Sequence, residues 1–254
     1  MNIIVCAKQV IDVSEMKVDS NSKKPILQGI PQKISDIDKN AMEEAIKIKD
    51  KNGGKITVLT IGPSNAKERI KELLAMGADE GVLVTAPENI DYYMTAVLLA
   101  EAIKKIGSYD MILCGEASID LFSGQIGPRL AGLLNIPQIT YAQSVTSDKD
   151  KVSAERNMGD KAITTESTYP VLVTVTKEIN EPRLPSLMKI LGAANKPIHE
   201  WTADSLSSGL KPLVETVKLK GVPMERKNII YKDDLDESLN KLVDSLAKEG
   251  VIGG

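Results

Sequence analysis

The sequence predicts an α/β protein: a Rossmann-like, mainly parallel sheet with antiparallel additions, then a C-terminal arm plus helix. Three observations carry this expectation. Short apolar runs rich in β-branched residues recur through residues 2–115. A stretch with helical apolar spacing lies between successive runs, which implies βαβ crossovers and a sheet covered on both faces. After Asn135-Ile136-Pro137 the rhythm changes to four strand-like runs in succession.

Asn2 to Val10 reads as the first strand, with Lys8-Gln9 near its carboxyl end, where open α/β sheets collect ligands. Residues 11–35 are polar and broken by Pro25, Gly29 and Pro31. They read as an excursion with a hairpin of short strands at Lys17 to Ser20 and Ile26-Leu27. Ser35 or Asp36 caps a helix through Lys51, with Ala41, Ala45, Ile46 and Ile48 as its apolar face, and Asn52-Gly53-Gly54 stops it. Lys55 to Ile61 is a second buried strand. Gly62-Pro63-Ser64-Asn65 turns into a helix from Ala66 to Met76. Gly81 to Thr85 is a third strand, and Asp91 to Ile106 a helix.

The centre of the chain is Asp110 to Ala131. Met111 to Cys114 is an apolar run ending at Gly115. Ser123 stands where a helix N-cap belongs, before helical spacing from Gln125 to Leu134. Such a strand–loop–helix turn suits anions, because free N–H groups and the helix dipole point at the loop. Gly115, Gly124 and Gly127 allow close approach. Asp120, Ser123 and Gln125 are polar groups able to orient a ribose or phosphate. The stretch is neither G-x-G-x-x-G nor a Walker loop, so an ordinary βα turn stays open on spacing alone.

Ile139 to Val145, Val152 to Arg156, Ala162 to Ser167 and Val171 to Thr176 read as antiparallel additions. Lys177 to Gly192 is a loop into a short amphipathic helix, with Pro185 in its first turn. Residues 193–232 have little periodicity, as an arm lying on another surface would. Asp234 begins a last helix to about Glu249, with Leu235, Leu239, Leu242, Val243 and Leu246 at helical spacing. The expected division is 1–192 for the α/β domain and 193–254 for the arm and helix.

Composition narrows function. A net charge of −3 with 3% aromatic residues argues against nucleic acid as partner. No apolar run is long enough to span a bilayer. The N-terminus has no signal-peptide pattern, and Cys6 and Cys114 fall in buried strands, so a reduced, cytoplasmic protein is expected. No spacing suggests a metal site. His199 is the single histidine, in a Pro-flanked connector, which leaves a histidine-based hydrolase without its base. No catalytic side chain is assigned.

The run Val173-Thr-Val-Thr-Lys-Glu-Ile-Asn-Glu-Pro-Arg-Leu-Pro-Ser-Leu-Met-Lys189 resembles the marker stretch of electron-transfer flavoprotein β subunits. Val5-Cys-Ala-Lys-Gln-Val-Ile-Asp12, Leu74-Ala-Met-Gly-Ala-Asp79 and Ser118-Ile-Asp-x-x-x-x-Gln-x-Gly127 resemble the same family, and the resemblance covers nearly the whole chain. It implies an adenine-nucleotide α-hydrolase-like fold and a heterodimer with an α subunit, whose mobile FAD domain the C-terminal arm reaches. It implies a nucleotide on this chain: AMP in respiratory forms, a second FAD in the anaerobic, electron-bifurcating forms. The contacts carry over to Cys6, Ala7 and Lys8, to Ser35, Asp36, Ile37 and Asp38, and to Ile61 and Gly62. The rest are Gly115, Glu116, Ser118, Asp120, Ser123, Gly124, Gln125, Ile126 and Gly127.

The Gln125-Ile-Gly-Pro128 run and the tail Leu219-Lys-Gly-Val-Pro223 with its further helix look more like the bifurcating branch, hence FAD. That branch implies NADH as substrate of the complex. One electron then passes through the α-subunit FAD to a flavin-dependent dehydrogenase, acyl-CoA or 2-hydroxy-acid, and the other to ferredoxin or flavodoxin. Leu184, Pro185, Leu187 and Met188 match the family's docking loop for the dehydrogenase. Two departures stand out. Arg156 is followed by Asn157, where respiratory members carry an acidic residue, and Ile37 and Val13 stand at positions where aromatics can lie against a flavin. A stand-alone adenine-nucleotide binder is the alternative of another class. A nucleotide-using ligase or hydrolase lacks both motif and base.

Overall fold

The computed structural model describes residues 1–87, 90–221 and 227–252. The chain begins with β1 (Asn2–Cys6), β2 (Gln9–Ile11), β3 (Lys17–Val18), β4 (Pro25–Ile26) and β5 (Gln32–Ile34). The βα series follows: α1 (Asp36–Asn52), β6 (Lys55–Gly62), α2 (Lys67–Met76), β7 (Glu80–Thr85), α3 (Tyr92–Ile106), β8 (Met111–Gly115) and α4 (Ile126–Leu134). Then come β9 (Gln138–Ser147), β10 (Lys151–Asn157), β11 (Ala162–Thr168), β12 (Val171–Val175), α5 (Leu187–Ala193), β13 (Ile198–Thr202), α6 (Ala203–Leu206) and α7 (Leu235–Lys248).

Among the described residues the main sheet has nine strands in the order β11-β10-β9-β12-β8-β1-β6-β7-β13. β1 is an interior strand, paired on both sides and covered on both faces. Ile3 and Val5 enter the core shared with Ala41, Met42, Ile70 and Leu74 of α1 and α2. Ile4 and Cys6 enter the opposite core with Leu99, Ile103 and Leu130 of α3 and α4. This two-residue alternation between filled layers explains why the strand reads as one apolar run. Full burial of each large aliphatic contributes about 1.5–3 kcal/mol.

The order also makes a switch point. From β1 the chain moves outward to β6 and β7, and α3 then carries it back over the sheet to β8 on the other side of β1. The crevice at the carboxyl ends of β1 and β8 is where such sheets hold ligands.

Three expectations are corrected here. β12 is parallel to β8 and to β9, so only β10 and β11 are antiparallel additions. The meander β9-β10-β11 leads outward, and the chain then returns to insert β12 between β9 and β8. Every residue of Val171–Val175 is buried, the pattern of an interior parallel strand. Second, Ser123 is not the N-cap of α4. Gln125 holds that place without a side-chain cap bond, because the chain turns through Gly124 at φ +62° before the helix starts.

Third, residues 193–206 are built into the sheet edge. β13 pairs parallel with β7, and Trp201 packs on the α3/α4 core. Lys196 Nζ donates to the carbonyls of Leu74 at 2.9 Å and Ala78 at 2.6 Å, satisfying the end of α2. His199 therefore lies in an edge strand, not in a connector. Its Nε2 stands 3.9 Å from Glu80.

The contacts divide the chain into two units, Met1–Lys17 with Pro25–Leu219, and Val18–Lys24 with Lys220–Gly254. In the smaller unit, Gly221 N donates to Lys23 O at 2.8 Å. A Cβ on Gly221 would strike the Val18 side chain. Asp234 caps α7 by accepting from Glu237 N at 3.1 Å. Leu235, Leu239, Leu242 and Val243 are exposed along one side of that helix. Val222 and Pro223, which end the Leu219–Pro223 run, lie outside the described residues.

Candidate functional site

The switch crevice is organised by Asp38. It sits in the first turn of α1, which starts beside the carboxyl end of β1 because Ser35 N donates to Lys8 O at 3.0 Å. The Asp38 carboxylate accepts from Lys8 N at 2.8 Å through Oδ2 and from Gly115 N at 3.0 Å through Oδ1. One buried side chain thus ties the ends of β1 and β8 together. Gly115 must be glycine for this: a Cβ would lie 2.7 Å from Asp38 Oδ1 and 3.0 Å from Ile37 Cγ2.

The loop of residues 116–125 is drawn across the same ends. Lys8 Nζ meets Asp120 Oδ2 at 2.7 Å and Oδ1 at 2.9 Å, with Ser118 Oγ at 3.5 Å. Phe122 N donates to Ser118 O at 2.9 Å and closes the turn. Ile61 and Gly62 end β6 alongside, where Ala86 N donates to Gly62 O at 3.1 Å. Ser35 Oγ is buried at the start of α1 with no hydrogen-bond partner. An orphan hydroxyl at a helix N-terminus fits a polar ligand, since leaving it unpaired costs about 1–3 kcal/mol.

Beside the loop lies a cavity of about 290 Å³ lined by Glu116, Gly124, Thr140, Tyr141, Arg156 and Thr174. Arg156 is fixed at its wall by donating to Thr140 O and Oγ1, each at 2.8 Å. Burial, with Glu178 nearby, raises the Glu116 carboxyl above its usual range.

The structure thus gathers Lys8, Ser35, Asp38, Gly115, Ser118 and Asp120 at one place. Others have their side chains engaged elsewhere. Cys6 packs into the α3/α4 core, with Ile126 against its edge. Ile37 is buried. Gly127 sits so close to Thr174 that a Cβ would strike it. Asp36 pairs with Lys33 at 3.0 Å, and Gln125 accepts from Arg129 at 2.8 Å. Cys6, Ala7, Ile37 and Gly127 can therefore offer a ligand only backbone. Gly124 lines the cavity beside the loop, and Ser123 precedes it in the chain. Sequence reasoning missed Thr140, Tyr141 and Arg156 at the cavity, because β9 and β10 reach it only through the strand order. Tyr141, at φ +58° in mid-strand, has no sequence signal.

Burial pushes the Asp38 carboxyl up to about 7, against the N–H groups of Lys8 and Gly115 and the Lys8 ammonium, which favour the charge. Its folded value exceeds its unfolded one. The stability of the neutral form is therefore present below the unfolded value and lost as pH rises through about 7. Thermal unfolding between pH about 4 and about 7 should show the parent losing stability with pH, and Asp38→Asn lacking that part of the slope. Equal slopes in the two proteins would contradict it.

Comparison with known proteins agrees with this geometry. The family model described as "Electron transfer flavoprotein domain" matches residues 26–206. A relative from Thermoanaerobacterium thermosaccharolyticum, "Electron transfer flavoprotein subunit beta", is 41% identical over 99% of this chain and 100% of its own. One of the same name from Clostridium acetobutylicum is 40% identical over 92% of this chain and 89% of its own. The "Caffeyl-CoA reductase-Etf complex subunit CarD" of Acetobacterium woodii is 38% identical over 84% of this chain and 81% of its own. With the matched domain taking in the β5–β13 part of the fold, including Asp38, Gly115 and the 116–125 loop of the crevice, and the likeness to the relatives running the length of the chain, this protein belongs to the electron transfer flavoprotein family, among its β subunits.

Proposed function

We propose that the chain is the β subunit of an electron-bifurcating electron-transfer flavoprotein, holding FAD across the carboxyl ends of β1, β6 and β8. The observation that carries the reading is the switch crevice, where Lys8, Asp38, Gly115 and the Asp120-tethered loop converge. The start of α1 and the 116–127 loop offer N–H groups to phosphates, and the Lys8 ammonium adds a charge that can leave Asp120 for them. Ser35 Oγ gains a partner when the site fills. The chemistry such a flavin supplies is hydride acceptance from NADH and release of single electrons. The side chains here bind and orient, and none acts as acid or base. The likeness to a caffeyl-CoA reductase complex subunit favours an acyl-CoA class of dehydrogenase over a 2-hydroxy-acid one.

The α subunit would cover the apolar tail. Leu213, Val214, Val217 and Leu219 are exposed in a segment without regular secondary structure, as is the apolar side of α7. Leu184 (94% exposed), Leu187 (70%) and Met188 (77%), with Pro185 between them, would dock the dehydrogenase. Ferredoxin or flavodoxin would take the second electron. Among the described residues no helix is long and apolar enough to cross a membrane, and on this reading the complex works in the cytoplasm.

One observation favours a second reading. A cavity of about 290 Å³ suits one nucleoside better than a whole dinucleotide, as structural AMP would require. Flavin absorbance of the co-purified αβ complex, with chromatography of the released nucleotides, decides. A second FAD per heterodimer supports the proposal. One FAD with one AMP selects the respiratory type. A colourless complex overturns both.

A further inference from the structure

The docking segment is held by helix α1 through side chains that are polar yet buried. Asn40, Glu43 and Glu44 lie on one side of α1 at i, i+3 and i+4 and are almost wholly covered. Asn40 Nδ2 donates to Asn180 O at 2.7 Å, and Asn180 Nδ2 donates back to Asn40 O and to Glu44 Oε2, each at 3.1 Å. Glu43 takes Arg183 in a two-pronged grip, with Nε to Oε2 at 2.8 Å and Nη2 to Oε1 at 2.9 Å. It also accepts from Arg183 N at 3.1 Å. The next residue is Leu184, which projects almost free of the protein beside a groove of about 490 Å³.

We infer that Glu43 is a positioning residue for partner docking: by fixing both the backbone and the guanidinium of Arg183, it sets where Leu184 stands. Pro182 and Pro185 narrow the backbone on either side, so a grip at Arg183 leaves Leu184 little freedom. A buried carboxylate is a costly way to pin a loop where an apolar contact would serve stability as well. What the planar fork adds is direction. The inference rests on the reading of Leu184–Met188 as the dehydrogenase-docking surface.

The test uses the intact αβ complex and the flavin-dependent dehydrogenase, acyl-CoA or 2-hydroxy-acid, that the parent complex reduces. Glu43→Ala should raise KM for that dehydrogenase roughly tenfold with kcat and nucleotide content unchanged, and Glu43→Gln should recover part of the loss. In a Leu184→Ala background Glu43→Ala should add nothing, since the anchor it aims is gone. Equal KM increments in both backgrounds would mark Glu43 as merely structural and overturn the inference. So would an unchanged KM in Glu43→Ala where Leu184→Ala raises it. A Leu184→Ala complex with parental KM would instead overturn the docking reading, and this inference with it. If Glu43→Ala does not fold, Glu43→Gln is compared across the two backgrounds by the same criteria.

Discussion

Gly124→Asp is expected to empty the nucleotide site while leaving the fold in place. Gly124 has φ +62°, a conformation that aspartate tolerates better than most L-residues. The nearest atoms to a Cβ there are Tyr141 Oη at 3.7 Å and Glu116 O at 3.8 Å, so the side chain has room. The new carboxylate would stand at the loop proposed to face the phosphates. Two unit charges roughly 5 Å apart at an effective dielectric of about 20 repel by about 3 kcal/mol, or roughly 100-fold in affinity. Chromatography of nucleotide released by denaturing the purified complex reads the effect. Parental content in this variant would remove the 116–125 loop from the site. A large drop in melting temperature would instead mean that the turn itself was broken.

Leu184→Ala should have the second large effect, on coupling alone. The side chain is 94% exposed, so its loss costs the folded chain less than about 0.5 kcal/mol. Buried in a partner's pocket, a leucine contributes about 1.5–3 kcal/mol, most of which alanine forfeits. Electron transfer to the dehydrogenase should therefore need roughly 10- to 100-fold more partner, while NADH-driven flavin reduction keeps its rate. Losses of equal size in both assays would place Leu184 outside the docking surface. Leu187 and Met188 extend the same apolar patch, and methionine suits a surface that accepts related partners.

The arrangement would let one chain serve both surfaces proposed for it. Helix α1 carries Asp38 in its first turn, in the switch crevice, and within the next two turns grips the segment around Asn180 and Arg183 through Asn40, Glu43 and Glu44. Its apolar side, with Ala41, Met42 and Ala45, locks it against the sheet. The crevice and the segment before Leu184 are thus referred to the same rigid element, which is what precise placement of the proposed cofactor and anchor residue needs.

The sequence by itself determined the interior of the sheet and which residues stand at the carboxyl ends of its strands. Strands such as β1 and β8 are covered on both faces, so their apolar runs are continuous and local, and the residues at their carboxyl ends can be named without coordinates. Tertiary structure alone decided what those residues do. Asp38 reads as a ligand, but its oxygens are occupied in joining two strands; Lys8 and Asp120 meet across 112 positions of sequence. β13 escaped notice because an edge strand with Glu200 and His199 on it carries no apolar run. The direction of β12 was hidden although Val171–Val175 is plainly a strand, because pairing is a property of neighbours. Glu43 looks like any charged helix residue until the loop around Arg183 folds over it. Burial leaves a local pattern in the chain, whereas partnership between distant polar groups leaves none and arises only when the fold brings them together.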